Sequence, residues 1–182
     1  MQFTNTNLSG VMLIEPKVFE DERGFFFESY QRQLFDENNI SLEFVQDNHS
    51  RSKQGTLRGL HYQIRHPQGK LVRVIMGEIY DVVVDLRRSS PTFGHWTGLY
   101  LSAKNKKQLF ISPGFAHGFY VVSEWTEVLY KATDYYAPQW ERTLLWNDSK
   151  IKISWPLLEG KPPLFSPKDA AGTPFDQAEV YE

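Results

Sequence analysis

Most of the chain reads as short runs of β-branched and aromatic residues separated by Gly, Pro, Asn and Ser. Runs of this kind, bounded by turn residues, predict strands. Strands are expected over residues 42–46, 56–64, 71–76, 78–86, 95–101, 108–111, 118–122 and 127–133. Met76-Gly77-Glu78 is expected to form a tight turn joining two of the long ones. One helix is expected over 30–37, with Ser29 as N-cap and Asn38-Asn39 as its stop. A second, short helix is expected over 166–171, where Ser166-Pro167 pairs an N-cap with Pro at the first helical position. The Pro- and Leu-rich segment 155–163 reads as an extended wrap, and no repeat or heptad interrupts the pattern. Many short strands at regular spacing predict an all-β sandwich or double-sheet jelly roll, with one open mouth for a ligand.

Composition adds constraints. A chain of 182 residues fits one domain, 1–182, that can bury a core. Thirteen Phe, nine Tyr and five Trp favour strands and an aromatic-lined cleft. A net charge of −2 supplies no global field for nucleic acid or acidic lipid, so neither is expected as a partner. The absence of cysteine excludes disulfides, thiolate nucleophiles and Cys-based metal sites. The polar N-terminal segment lacks a signal-peptide pattern, and no apolar stretch is long enough to cross a bilayer. The expected compartment is the cytoplasm.

Among the five histidines, His61 lies in Leu57-Arg-Gly-Leu-His-Tyr-Gln, a stretch of strong β character. A lone strand histidine is ordinarily a hydrogen-bonded core residue. Here alternation puts it on an open face with Gly59 and Gln63, near Arg58 and Lys70 in sequence. Lys70 alternates with Val72 and Val74, so its ammonium either reaches a rim or points into a cavity, where it suits a developing enolate oxygen. Tyr130 alternates with Val128 and Ala132 and faces the interior, as a core residue or as a proton donor on a pocket floor. His117 follows a Pro-Gly turn and begins a strand, which suits a ligand contact or a structural turn. Around residues 19–28, Arg23 could grip a phosphate and the aromatics could stack on a base, or Asp21 to Gly24 is simply a surface turn. A jelly-roll metal site usually carries His-x-His with a following Glu and a later His. His61-Tyr62-Gln63 places Gln at the second ligand, no Glu follows within a dozen residues, and no metal or other cofactor is expected.

These segments, in order, resemble the dTDP-4-dehydrorhamnose 3,5-epimerase family of the cupin superfamily. The resemblance is carried by Phe19-Glu-Asp-Glu-Arg-Gly-Phe-Phe-Phe-Glu, Gln46-Asp-Asn-His-Ser, Leu57-Arg-Gly-Leu-His-Tyr-Gln and Gln68-Gly-Lys-Leu-Val-Arg-Val. It continues through Gly77-Glu-Ile-Tyr-Asp-Val-Val-Val-Asp-Leu-Arg, Pro113-Gly-Phe-Ala-His-Gly-Phe, Tyr130-Lys-Ala-Thr-Asp-Tyr-Tyr and Ser166-Pro-Lys-Asp. The family implies a cupin jelly roll, the substrate dTDP-4-dehydro-6-deoxy-D-glucose, and epimerisation at C3 and C5, both beside the C4 ketone. It implies His61 as base, Asp169 as its orienting partner, Lys70 at the enolate oxygen and Tyr130 returning a proton from the opposite face. General acid–base help of this kind is worth ~10²–10⁴-fold. Nucleotide contacts implied by the resemblance fall on Arg23, Glu28, Gln46, Asn48, Arg58, His117, Glu141 and Lys168, with Phe19 or Tyr136 stacking on the base.

Strict alternation puts Arg58 and His61 on opposite faces, so their shared role requires a bulge, expected at Gly59. The resemblance also implies a homodimer, with the aromatic N-terminal strand exchanged so that part of residues 23–28 completes the neighbour's pocket. Four other readings stay open: an epimerase acting at C3 or C5 alone, a cupin ketoisomerase, a non-catalytic sugar-nucleotide-binding cupin and a metal-dependent cupin oxygenase.

Overall fold

Two antiparallel sheets face each other across an apolar core, in a computed structural model that describes all of residues 1–182. The strands are β1 (Gln2–Asn5), β2 (Val11–Glu15), β3 (Phe19–Asp21), β4 (Gly24–Phe26), β5 (Gln46–Lys53), β6 (Leu57–Gln63) and β7 (Lys70–Met76). They continue as β8 (Glu78–Asp85), β9 (Trp96–Ser102), β10 (Gln108–Ile111), β11 (Phe115–Val121), β12 (Trp125–Ala132) and β13 (Glu141–Thr143). One sheet has the order β1-β2-β10-β7-β12-β5, the other β13-β6-β11-β8-β9, and β3-β4 form a separate hairpin. This is the expected all-β, cupin-like jelly roll. No helix is long and apolar enough to cross a membrane.

The largest of three apolar clusters holds the sheets together. Val72, Val74, Leu109 and Val128 from the six-stranded sheet meet Ile79, Val83, Leu101, Phe119 and Val121 from the other. Full burial of each such side chain contributes roughly 1.5–3 kcal/mol. A second cluster packs Trp155, Phe175 and Tyr181 of the C-terminal segment on the outer face of β6, β8 and β11. A third packs Phe35 of helix α1 (Arg32–Glu37) against Ile14, Leu71 and Phe110 on the outside of the six-stranded sheet. With both faces covered, β8 is buried nearly throughout, so alternation is weak there.

Three expectations need correction. The strand expected over 42–46 is irregular, and β5 instead runs through the polar sequence Gln46–Lys53. It is an edge strand, held by its ladder to β12 and not by apolar side chains. The turn at Gly77 does not form a hairpin: β7 and β8 belong to opposite sheets, and the chain crosses between them there. Gly77 has φ +76, and a Cβ would lie 2.1 Å from the Trp125 carbonyl oxygen, so the crossing requires glycine. Helix α1 is capped by Gln31, whose side chain accepts from Leu34 N–H at 2.7 Å. Ser29 does not cap it; its carbonyl accepts from Gln108 Nε2 at 2.8 Å. The second helix, α2 (Pro167–Ala170), forms as expected with Ser166 as N-cap.

Candidate active site

The site begins with an irregularity in β6. His61 pairs with His117 on β11, and Arg58 pairs with Phe119, so three steps along β6 match two along β11. The extra residue is the bulge expected at Gly59, and it turns Arg58 and His61 to the same side. Gly59 has φ +120, and a Cβ there would lie 2.5 Å from Gly118 Cα and 2.8 Å from the His117 carbonyl oxygen. Only glycine fits. Arg58 Nε then reaches across the interior to the other sheet and donates to Ser52 Oγ on β5 at 2.9 Å.

Helix α2 docks on the bulge through one carboxylate. Asp169 Oδ1 accepts from Gly59 N–H at 3.0 Å, and its Oδ2 accepts from the Ser166 hydroxyl at 2.6 Å. His61 Nε2 lies 2.7 Å from Asp169 Oδ1, and the His61 side chain remains 28% exposed. Burial works to raise the Asp169 pKa, but His61, Ser166 and Gly59 outweigh it and hold the carboxyl well below the usual range. The carboxylate is therefore ionised at neutral pH and orients the imidazole, leaving Nδ1 as the free nitrogen.

The opposite wall comes from β7, β12 and β5. Lys70 and Tyr130 lie on the inner face with Val72, Val74 and Val128. Register puts Asn48 opposite Tyr130 and Gln46 opposite Ala132, so the polar side of β5 lines the same interior. Burial pushes Lys70 down to about 8, against Asp81 and Glu141, which favour its charged form, and with Lys168, which does not. Burial likewise raises Tyr130, opposed by Arg58 and aided by Glu141. Glu141, on the edge strand β13, is ion-paired with Lys168 and accepts from the Tyr136 hydroxyl at 2.7 Å. Its Oε1 is 4.0 Å from His61 Nδ1. The Tyr136 backbone N–H donates to Gln46 Oε1 at 3.0 Å, and Gln46 Nε2 donates to Asn48 Oδ1 at 2.9 Å.

The structure thus gathers His61, Asp169, Lys70, Tyr130, Arg58, Gln46, Asn48, His117, Tyr136, Glu141 and Lys168 around one mouth. It does not bring Phe19, Arg23 and Glu28 there. These are exposed, and Arg23 pairs only with Asp21 of its own hairpin. His117 does not begin its strand but lies mid-β11, because Phe115 and Ala116 already pair with β8. Its Nε2 lies 2.9 Å from Asp81, a fully buried carboxylate that the sequence reading passed over. The available signal was an Asp alternating with Ile79 and Val83 on an apolar face, which needs a partner. Gln63, at the second position of the broken metal motif, is committed to the backbone: it donates to the His66 carbonyl at 2.7 Å and accepts from Ala137 N–H at 2.8 Å.

A protein-family model for dTDP-4-dehydrorhamnose 3,5-epimerase matches residues 5–177. The chain belongs to this family. The dTDP-4-dehydrorhamnose 3,5-epimerase of Pseudomonas aeruginosa is 56% identical over 182 residues, covering 100% of this chain and 99% of that protein. The crystal structure of a dTDP-6-deoxy-D-glucose-3,5-epimerase from Legionella pneumophila, in complex with dTDP-4-keto-L-rhamnose, superposes with a TM-score of 0.94 at 49% identity. That match covers 98% of this chain and 94% of the other. A 3'-monoepimerase from Streptomyces bikiniensis, in complex with dTDP-quinovose, is similar at 28% identity and a TM-score of 0.85, over 93% of this chain and 85% of that one. As a member of the dTDP-4-dehydrorhamnose 3,5-epimerase family the chain is an epimerase, hence an isomerase.

Proposed function

We propose that the chain converts dTDP-4-dehydro-6-deoxy-D-glucose to dTDP-4-dehydro-L-rhamnose by inverting C3 and C5. One observation carries this reading: the paired imidazole of His61 projects from one sheet, while Tyr130 and Lys70 project from the other. Inversion at carbon needs a base on one side of a ring and an acid on the other. His61 Nδ1 takes the proton beside the C4 ketone, and the electron pair moves onto the ketone oxygen. The Lys70 ammonium stabilises that oxygen. Tyr130 then donates its phenolic proton to the opposite face of the same carbon. The nearby Arg58 charge favours the tyrosinate that remains. His61 and Tyr130 regain their starting states by exchange with solvent. Arg58, Gln46, Asn48, His117, Tyr136, Glu141 and Lys168 are assigned to the nucleotide and diphosphate, with Tyr136 stacking on the base.

The similarity to a 3'-monoepimerase favours one second reading, inversion at a single carbon, because that protein shares the fold. Turnover of the keto-sugar in deuterated water separates the two. Two-centre chemistry predicts deuterium at both C3 and C5 of the product, and label at one carbon alone would falsify it.

The exposed hairpin supports a homodimer. Phe25, Phe26 and Phe27 line a cleft with Arg73 and Ile75 on the outer side of the six-stranded sheet, away from the chain's own His61. Phe19, Arg23 and Glu28 are then assigned to the pocket of a second copy. Sedimentation should show a dimer at working concentration; a fully active monomer would rule this out.

A further inference from the structure

Asp81 has no assigned part in the reaction, yet it is a carboxylate set into the apolar core between the sheets. It shares the inner face of β8 with Ile79 and Val83, and it is 0% exposed. For packing alone, an aliphatic side chain would serve better at this position, since an isolated buried carboxylate is strongly unfavourable. Its partner is His117: both carboxylate oxygens lie near Nε2, at 3.0 and 2.9 Å. A ring nitrogen held between two carboxylate oxygens carries the proton, so the contact fixes which tautomer His117 adopts. His117 is in turn the cross-strand neighbour of His61.

We propose that Asp81 is a positioning residue of this site: it holds His117, the cross-strand neighbour of His61, with its proton on Nε2, and it sets a negative charge in the core that Lys70 enters from the opposite sheet. The inference rests on the epimerase reading above. Lys70 makes no ion pair, so its charge is supported through space. The titratable and charged groups on the elements around it are Asp81 on β8, Glu141 on β13, Lys168 on α2, Arg58 and His61 on β6, His117 on β11 and Tyr130 on β12. Of these, Asp81 is first among the groups that favour the charged lysine, ahead of Glu141. Burial already brings the ammonium down to about 8. Removal of the Asp81 charge should lower the Lys70 titration further.

The test compares Asp81→Asn and Asp81→Leu with the wild type. Asp81→Asn keeps the shape and loses the charge. It is expected to lower kcat by about 10- to 100-fold, the size seen when an oriented histidine loses its outer partner. KM should rise as well, because His117 is assigned to the nucleotide and diphosphate, and the basic limb of the kcat–pH profile should move to lower pH. If Asp81 serves packing alone, Asp81→Leu keeps wild-type kcat and an unmoved basic limb, which overturns the proposal. Should both variants misfold, ¹⁵N NMR of histidine-labelled wild type decides the tautomer without mutation. A proton on His117 Nε2 supports the assignment, and a proton on Nδ1 alone overturns it. Solvent deuterium uptake by the wild type tests the parent reading separately. Uptake together with an unaltered Asp81→Asn enzyme removes only the role of Asp81, whereas a wild type that takes up no label removes both.

Discussion

Replacement of His61 by alanine is expected to lower kcat by about 10²–10⁴-fold and to abolish deuterium uptake from solvent, while the dTDP moiety still binds. The argument starts from the position of the ring. His61 Nε2 lies 2.7 Å from an ionised Asp169, itself held by Gly59 and Ser166, so Nδ1 is the nitrogen left for substrate. Nucleotide contacts are assigned to other side chains, so KM for the nucleotide sugar should move much less than kcat. Asp169→Asn is expected to show a smaller version of the same loss, because an amide cannot stabilise the imidazolium and can orient the wrong tautomer. Isotope uptake by NMR and binding by calorimetry are the measurements. A His61→Ala enzyme that still exchanges label at the wild-type rate would remove His61 from the base's role.

Gly59→Ala is expected to be the most damaging single-atom addition near the site. Two independent effects combine. Positive φ of +120 is unfavourable for any residue with a Cβ, and the added carbon would press into Gly118 Cα and the His117 carbonyl of the adjoining strand. Backbone on both sides cannot rotate away as a side chain could. Together these effects destabilise by about 3 kcal/mol or more. For a chain of this size that is roughly 6–12 °C in Tm. Activity should fall beyond the loss of folded protein, since the same peptide donates to Asp169 and sets the face of His61. Thermal melts and kcat per folded molecule check this. An alanine variant with wild-type Tm would contradict the bulge as described.

Legibility from sequence followed the strength of the local pattern. Strands β6 to β10 combine β-branched or aromatic residues with bounding turns, and their expected extents agree with the structure to within a few residues. Strand β5 has no such signal, because its inner side lines a polar mouth and its edge needs no apolar outer side. The crossing at Gly77 reads locally as a hairpin. Which sheet each strand joins depends on pairings with β10, β12, β11 and β9 far away in sequence. Gly59 was legible because two residues with a shared task sat on opposite faces of an ideal strand. Asp81 and the Arg58–Ser52 contact were not, because both depend on which strands end up facing each other. The position of the Phe19–Glu28 segment away from its own His61 likewise comes from tertiary placement alone.

The bond between Gly59 and Asp169 spans 110 residues of chain, and it joins strand β6 to helix α2. By the time Thr143 has been added, every strand of both sheets exists. The carboxylate that orients the base has yet to be made at that point, and so has the segment that covers the outer face of β6, β8 and β11. A chain stopped there would accordingly lack the partner of its base, the Lys168 ammonium and the apolar cover of one sheet together, so the oriented imidazole and the finished fold arrive in the same step.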